Sequence, residues 1–144
     1  MTINEIEQQI IQEFSNFDDW MDRYNYLIEL GKSLPLIEEK YKMDSNLIVG
    51  CQSRVWLQAE YRDGKIFFTA DSDAVITKGI ISLLIRVLSG QTPEDILNAP
   101  LHFVESIGLN EHLSPTRSNG LLSMVKQIKL YALAFKTKYQ AKQK

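Results

Sequence analysis

A single stretch of this chain carries a two-residue repeat, and that stretch limits what the remainder can be. From Ser53 onward Val55, Leu57, Ala59 and Tyr61 alternate with Arg54, Trp56, Gln58 and Glu60, the pattern of a strand with one face on a core. Asp63-Gly64 then supplies the positive φ angles of a tight turn, and Lys65 to Ala70, containing Ile66-Phe67-Phe68-Thr69, reads as the returning strand. Helical patterns occupy the chain on both sides. The class that follows is α+β, a small antiparallel sheet packed against several helices.

The helical segments announce themselves by period and punctuation. Thr2-Ile3-Asn4-Glu5 has the form of a capping box, and Ile3, Ile6, Ile10 and Phe14 recur at helical spacing, which predicts a surface helix over 3–14. After the Ser15-Asn16-Phe17-Asp18 break, Trp20, Tyr24, Leu27 and Ile28 mark one face of a second helix, with Gly31 as its carboxyl-terminal stop. A short helical turn is expected after Pro35. Asp71-Ser72-Asp73 offers caps for a helix over about 74–88, so apolar from Val75 to Leu88 that it must be central and buried. Gly90 ends it. Thr92-Pro93 starts a short helix with proline in the first position, where its missing N–H costs nothing. Another short segment is expected over 101–107. Ser114-Pro115 repeats the start signal, and Leu121, Met124, Val125, Ile128, Ala132 and Phe135 mark a last helix ending near 139.

A chain of 144 residues, 44% apolar and 24% charged, has room for one domain over 1–144 and apolar surface enough to fold without disulfides or metals. Its 16 basic and 18 acidic residues give a net charge of −2, which provides no general field for nucleic acid or anionic lipid. Lys136, Lys138, Lys142 and Lys144 near the end read as a solvated helical face. The sequence has no apolar run of the roughly 20 residues that span a bilayer, and its start, with Glu5 and Glu7, is no basic-then-apolar leader. A cytosolic protein is expected, with neither membrane nor nucleic acid as partner.

One cysteine remains, and a lone cysteine in a reducing compartment serves either packing or chemistry. Cys51 follows Asn46-Leu47-Ile48-Val49-Gly50 and precedes the first strand, at a loop-to-strand junction of the kind that carries function. Gly50 permits a tight turn and removes a side chain that would crowd an approaching sulfur. The competing reading is a small buried hydrophobe. A chemical role needs the thiolate, which at an unperturbed pKa of roughly 8.5 is scarce near neutrality, and Arg54 and Arg117 are the candidate cations.

Around this residue the sequence resembles a known family. Gly50-Cys51-Gln52-Ser53-Arg54-Val55-Trp56-Leu57 is similar to the glycine-cysteine-x-serine-x-valine-tryptophan signature of SufE proteins. Tyr26-Leu27-Ile28-Glu29-Leu30-Gly31-Lys32-Ser33-Leu34-Pro35 resembles the family's early helix and its end. Asp71-Ser72-Asp73-Ala74 with Lys78-Gly79 resembles the start of its buried helix, and Leu113-Ser114-Pro115-Thr116-Arg117-Ser118-Asn119-Gly120-Leu121 that of its final helix. The resemblance covers roughly residues 17–135.

It implies a SufE/IscU-like fold and a sulfur acceptor that stimulates a pyridoxal-phosphate-dependent cysteine desulfurase (SufS-like), acting with it rather than as a stand-alone enzyme. Cys51 would be the persulfide acceptor, passing sulfur toward an iron–sulfur scaffold complex (SufBCD-like), with no cofactor or metal of its own. By position Arg117 and Asp73 would support the cysteine loop, although the sequence alone favours a helix cap for Asp73 and suits Arg117 equally to a solvated or structural salt bridge. Gln52, Ser53 and Trp56 read as loop shape, turn bonding and packing. A homodimer is compatible with the resemblance. A scaffold role is not, since a bound cluster usually takes about four ligands. Nor do His102 and His112 with Cys51 have the close pairs of a zinc site. Two rivals stand beside this reading: a regulatory module that docks on a desulfurase without carrying sulfur, and a cysteine hydrolase using His102 or His112 as base.

Overall fold

The computed structural model describes residues 1–142, with side chains through Tyr139. Its elements are α1 (Ile3–Phe14), α2 (Trp20–Gly31), β1 (Val55–Arg62), β2 (Lys65–Ser72), α3 (Val75–Leu88), α4 (Pro93–Leu97), α5 (Phe103–Ser106), α6 (Leu109–His112) and α7 (Pro115–Lys142). Of the basic tail, Lys144 lies outside the described residues, as does the side chain of Lys142.

β1 and β2 pair antiparallel in register from Val55↔Ser72 to Arg62↔Lys65. Asp63 and Gly64 close the hairpin at φ 52° and 80°, both positive as a two-residue turn of this hand demands. Val55 and Leu57 on one strand, with Ile66, Phe68 and Ala70 on the other, bury the same face. Neighbouring chain extends the pairing of β2: Ala70 N–H donates to Pro35 C=O, Ile37 N–H to Ala70 C=O, and Ile66 N–H to Gln91 C=O. The segment after Pro35 therefore begins as an edge beside β2, and its helical turns come later, as 3-10 turns over Glu39–Tyr41 and Asp44–Asn46.

α3 lies in the core against β2, α1, α2 and α7, with nine of its fourteen residues buried. It starts at Val75 rather than at 74, because β2 runs on through Asp71 and Ser72, two of the residues expected as caps. Gly90, at φ 81°, turns the chain out of α3. Gly31 ends α2 as expected but for another reason. The cap residue Lys32 is right-handed, and a Cβ on Gly31 would stand 3.0 Å from the backbone nitrogen of Gly79. On Gly79 a Cβ would come within 2.3 Å of Leu27 O. The two glycines thus mark a close backbone crossing of α2 and α3.

The other punctuation is as read. Thr2 and Glu5 form the capping box of α1, Thr92 accepts from Asp95 N–H before Pro93, and Ser114 accepts from Arg117 N–H at the start of α7. The segment expected over 101–107 is the shorter α5, followed by α6, which begins after Gly108 in the left-handed region. Among the described residues no helix is long and apolar enough to cross a membrane.

Candidate functional site

Cys51 sits at the tip of a short loop whose two ends are tied together. Ile48 N–H donates to Val55 C=O at 2.9 Å, closing residues 49–54 into one turn ahead of β1. Gly50 takes φ 98°, and a Cβ there would fall 2.3 Å from Ser123 Oγ of α7. Glycine is needed for that conformation and for the contact with α7, so the crowding it avoids comes from this chain itself. The Cys51 thiol is half-buried and reaches Gly120 C=O of α7, Sγ to O 3.6 Å. Gly120 is a helix-interior glycine, a position that costs about 1 kcal/mol relative to alanine. A Cβ there would lie 3.7 Å from Sγ, an ordinary contact, so the place of the sulfur does not itself demand glycine.

Asp73 holds the loop from the other side. Its carboxylate accepts from Arg54 N–H at 3.1 Å, and its own N–H donates to Arg54 C=O at 3.3 Å. It is not the cap of α3, which has Ala74 in the cap position and no capping side chain. The carboxylate is turned toward the cysteine loop because β2 carries the chain past Ser72 before the helix starts, which leaves Asp73 opposite Arg54. Ser72 Oγ accepts from Ala74 N–H instead, at 3.3 Å.

Beside the thiol lies a cavity of about 600 Å³. Three segments line it: the loop (Cys51, Gln52, Ser53), the start of α3 (Ala74 to Thr77, with Ile80) and the start of α7 (Ser114, Thr116, Arg117, with Gly120 and Met124). Arg117 therefore stands in the wall of the cavity with Cys51, and it makes no ion pair among the described residues. Arg54, the other candidate cation, is exposed like Arg117 but does not line the cavity, and it contributes its backbone to Asp73. Trp56 lies outside the cavity, beneath the Lys42 ammonium at 5.5 Å from the ring centre. Burial pushes the Cys51 thiol above its ordinary range. At neutral pH the closed loop therefore holds a thiol, poorly nucleophilic and shielded.

The histidines are elsewhere. His112 stacks on Trp20 with centroids 4.0 Å apart, its Nδ1 is 3.0 Å from Gly108 O, and His102 is exposed near the amino terminus. Neither lines the Cys51 cavity, so the cysteine–histidine pair of a hydrolase is not assembled. Among the described residues no group of three histidine, cysteine, aspartate or glutamate side chains is placed to hold a metal ion.

Three residues of this site escape a sequence reading. Gly120 leaves a trace, being a glycine inside a strongly helical pattern, which signals close approach. Thr77 leaves one as well, since Ile80, Ile81 and Leu84 at helical spacing put it on the buried face of α3, but neither its spacing nor that of Ser123 says which distant segment it meets.

A family model described as "SufE: Fe-S metabolism associated domain" matches residues 8–132. The chain is 40% identical over 126 residues to an uncharacterized SufE-like protein of Rhizobium meliloti (strain 1021), covering 84% of this chain and 90% of that one. It is 37% identical over 127 residues to an uncharacterized SufE-like protein of Synechocystis (strain PCC 6803), covering 88% of this chain and 80% of the relative. Against an uncharacterized SufE-like protein of Rhizobium etli the identity is 42% over 127 residues, covering 84% and 85%. The fold is similar to that in the solution structure of a hypothetical protein from Thermus thermophilus, with TM-score 0.75 and 22% identity over 92% of this chain and 96% of that one.

Proposed function

This chain belongs to the SufE family, whose domain is associated with Fe–S metabolism, and from that membership we propose that it accepts persulfide sulfur on Cys51 and relays it. The donor is a pyridoxal-phosphate-dependent cysteine desulfurase, which the chain stimulates by removing its product, and the recipient is an iron–sulfur scaffold complex. The observation that carries the reading is the single thiol of the chain, at the tip of a pinned loop, opening on a cavity with space for added sulfur.

The chemistry is thiol exchange extended by one sulfur. The Cys51 thiolate attacks the outer sulfur of the desulfurase persulfide, a new S–S bond forms at Cys51, and the desulfurase cysteine leaves as a thiolate with the electron pair. In the closed loop this attack is suppressed twice, by shielding and by the raised thiol pKa. Docking on the donor acts by releasing the Asp73–Arg54 tie and the Gly50–Ser123 contact, which brings the sulfur out and lets it ionise. Arg117 at the cavity wall supplies positive charge to the sulfur anion. Asp73 is a positioning residue, acting through the loop.

The test is the mass of the chain after incubation with a cysteine desulfurase and cysteine. A gain of one sulfur atom on Cys51, removed by reductant and absent from Cys51→Ser, is the expected result. If desulfurase turnover rises equally with Cys51→Ser, the chain is a regulatory module that carries no sulfur.

A further inference from the structure

The start of α3 forms a wall of the Cys51 cavity, and it is chemically unfinished. α1, α2, α4 and α7 each have a side chain accepting from their first-turn N–H groups: Thr2, Asp19, Thr92 and Ser114. α3 has none. Its first intrahelical bond is Lys78 N–H to Ala74 C=O, so the N–H groups of Val75, Ile76 and Thr77 have no acceptor in their own helix. Ala74 to Thr77 line the cavity, where those donors and the positive end of a 14-residue helix favour negative charge.

A second observation is independent of the helix end. Thr77 is only 8% exposed and lines the same cavity. Among the described residues its hydroxyl has no hydrogen-bond partner, yet no fully buried side-chain oxygen lacks one. The hydroxyl therefore keeps its small remaining exposure, and the cavity is the opening that Thr77 lines. No protein group among the described residues meets that hydroxyl, so its donor is available to what enters the cavity.

We infer that Thr77, together with the free N–H groups at the start of α3, is the seat of the outer sulfur when Cys51 carries a persulfide. This rests on the reading of Cys51 as a sulfur carrier and deepens it. A persulfide extends the side chain by one S–S bond, about 2 Å, and it is a stronger acid than the parent thiol, so it is the anionic form that the cavity receives. Arg117 is the charged group of the lining and Cys51 the titratable one. Thr77 donates to the anion and so favours the ionised, nucleophilic persulfide, whereas the bare thiol, bonded to Gly120 C=O, stays protonated.

Inorganic tetrasulfide loads the cysteine without any desulfurase: the Cys51 thiolate attacks a terminal sulfur, one S–S bond forms, one breaks, and trisulfide leaves with the electron pair. Alkylation of the outer sulfur by iodoacetamide, followed by mass across a pH series, then gives the persulfide's midpoint. In Thr77→Val that midpoint should rise by about one unit, the worth of one hydrogen bond to an anion. Thr77→Ser should restore it. Because the lost hydroxyl is unpaired at rest, Thr77→Val should melt no lower than the parent, which a merely structural threonine would not allow. An unmoved midpoint in Thr77→Val, a failure of rescue by Thr77→Ser, or no loading by tetrasulfide even with the loop loosened by Asp73→Ala would overturn the inference. A Thr77-dependent midpoint in a chain to which no desulfurase adds sulfur would sink the relay and leave the seat standing.

Discussion

The two ends of α3 are built on opposite principles. At the carboxyl-terminal end the polar side chains are paired with neighbouring elements. The Arg86 guanidinium forks onto Glu13 of α1, with Nη1 to Oε1 at 2.9 Å, and the Tyr26 hydroxyl of α2 donates to the same carboxylate. Ser89 Oγ accepts from Phe68 N–H, and Gly90 N–H donates to Ile66 C=O at 2.7 Å. Glu13 is held below the usual carboxylate range, first by the Arg86 hydrogen bond, and Tyr26 is pushed up to about 12 by burial and by its bond to Glu13. The amino-terminal end has no capping side chain and an unpaired hydroxyl, and it faces a half-buried thiol that follows a glycine at positive φ. One end ties three helices into a frame; the other leaves donors unspent beside the Cys51 cavity. Satisfied polar networks rigidify, whereas unpaired donors keep hydrogen-bonding capacity that a ligand can use.

That contrast can be broken from either side. The largest effect on stability should come from Arg86→Met, which leaves Glu13 with Tyr26 alone. A loss of about 2 kcal/mol in urea unfolding is expected, with the native-state alkylation rate of Cys51 unchanged. Equal acceleration of alkylation would show that the two ends are not independent. Gly50→Ala should act at the other end: positive φ costs a Cβ-bearing residue about 1–2 kcal/mol, and Ser123 stands in the way, so the loop opens and Cys51 alkylates roughly tenfold faster. Asp73→Ala removes one exposed acceptor and should give a smaller gain of about threefold. Alkylation as slow as in the parent would show that the tie to Arg54 does not hold the loop.

The finest distinction is in pH. The folded pKa of Glu13 is depressed, so its contribution is complete above about 4.3 and is lost as pH falls through its lower folded value. The folded pKa of Cys51 is raised, so the closed loop is favoured below about 8.5 and loses that support as pH rises through the raised value. The frame should therefore loosen in acid and the cysteine loop in alkali. Urea midpoints at low pH and alkylation rates at high pH measure the two, and Arg86→Met should flatten the first dependence while leaving the second in place.

Much of this was open to a reader of the residues. Alternation from Val55 and the Asp63-Gly64 pair determined the hairpin and its register, since a slip by one would turn every buried side chain outward. Thr2, Thr92 and Ser114 determined helix starts because a cap acts within three residues, and the resemblance around Cys51 drew attention to the one thiol and to Arg117. Those are local relations, carried by neighbours along the chain. What Gly31 and Gly79 do for one another, why Asp73 serves Arg54 rather than a helix, and which hydroxyl looks into the Cys51 cavity were decided only by packing. Each depends on where two segments distant in sequence come within a few ångströms, and the identity of a residue does not say which distant atom it will meet.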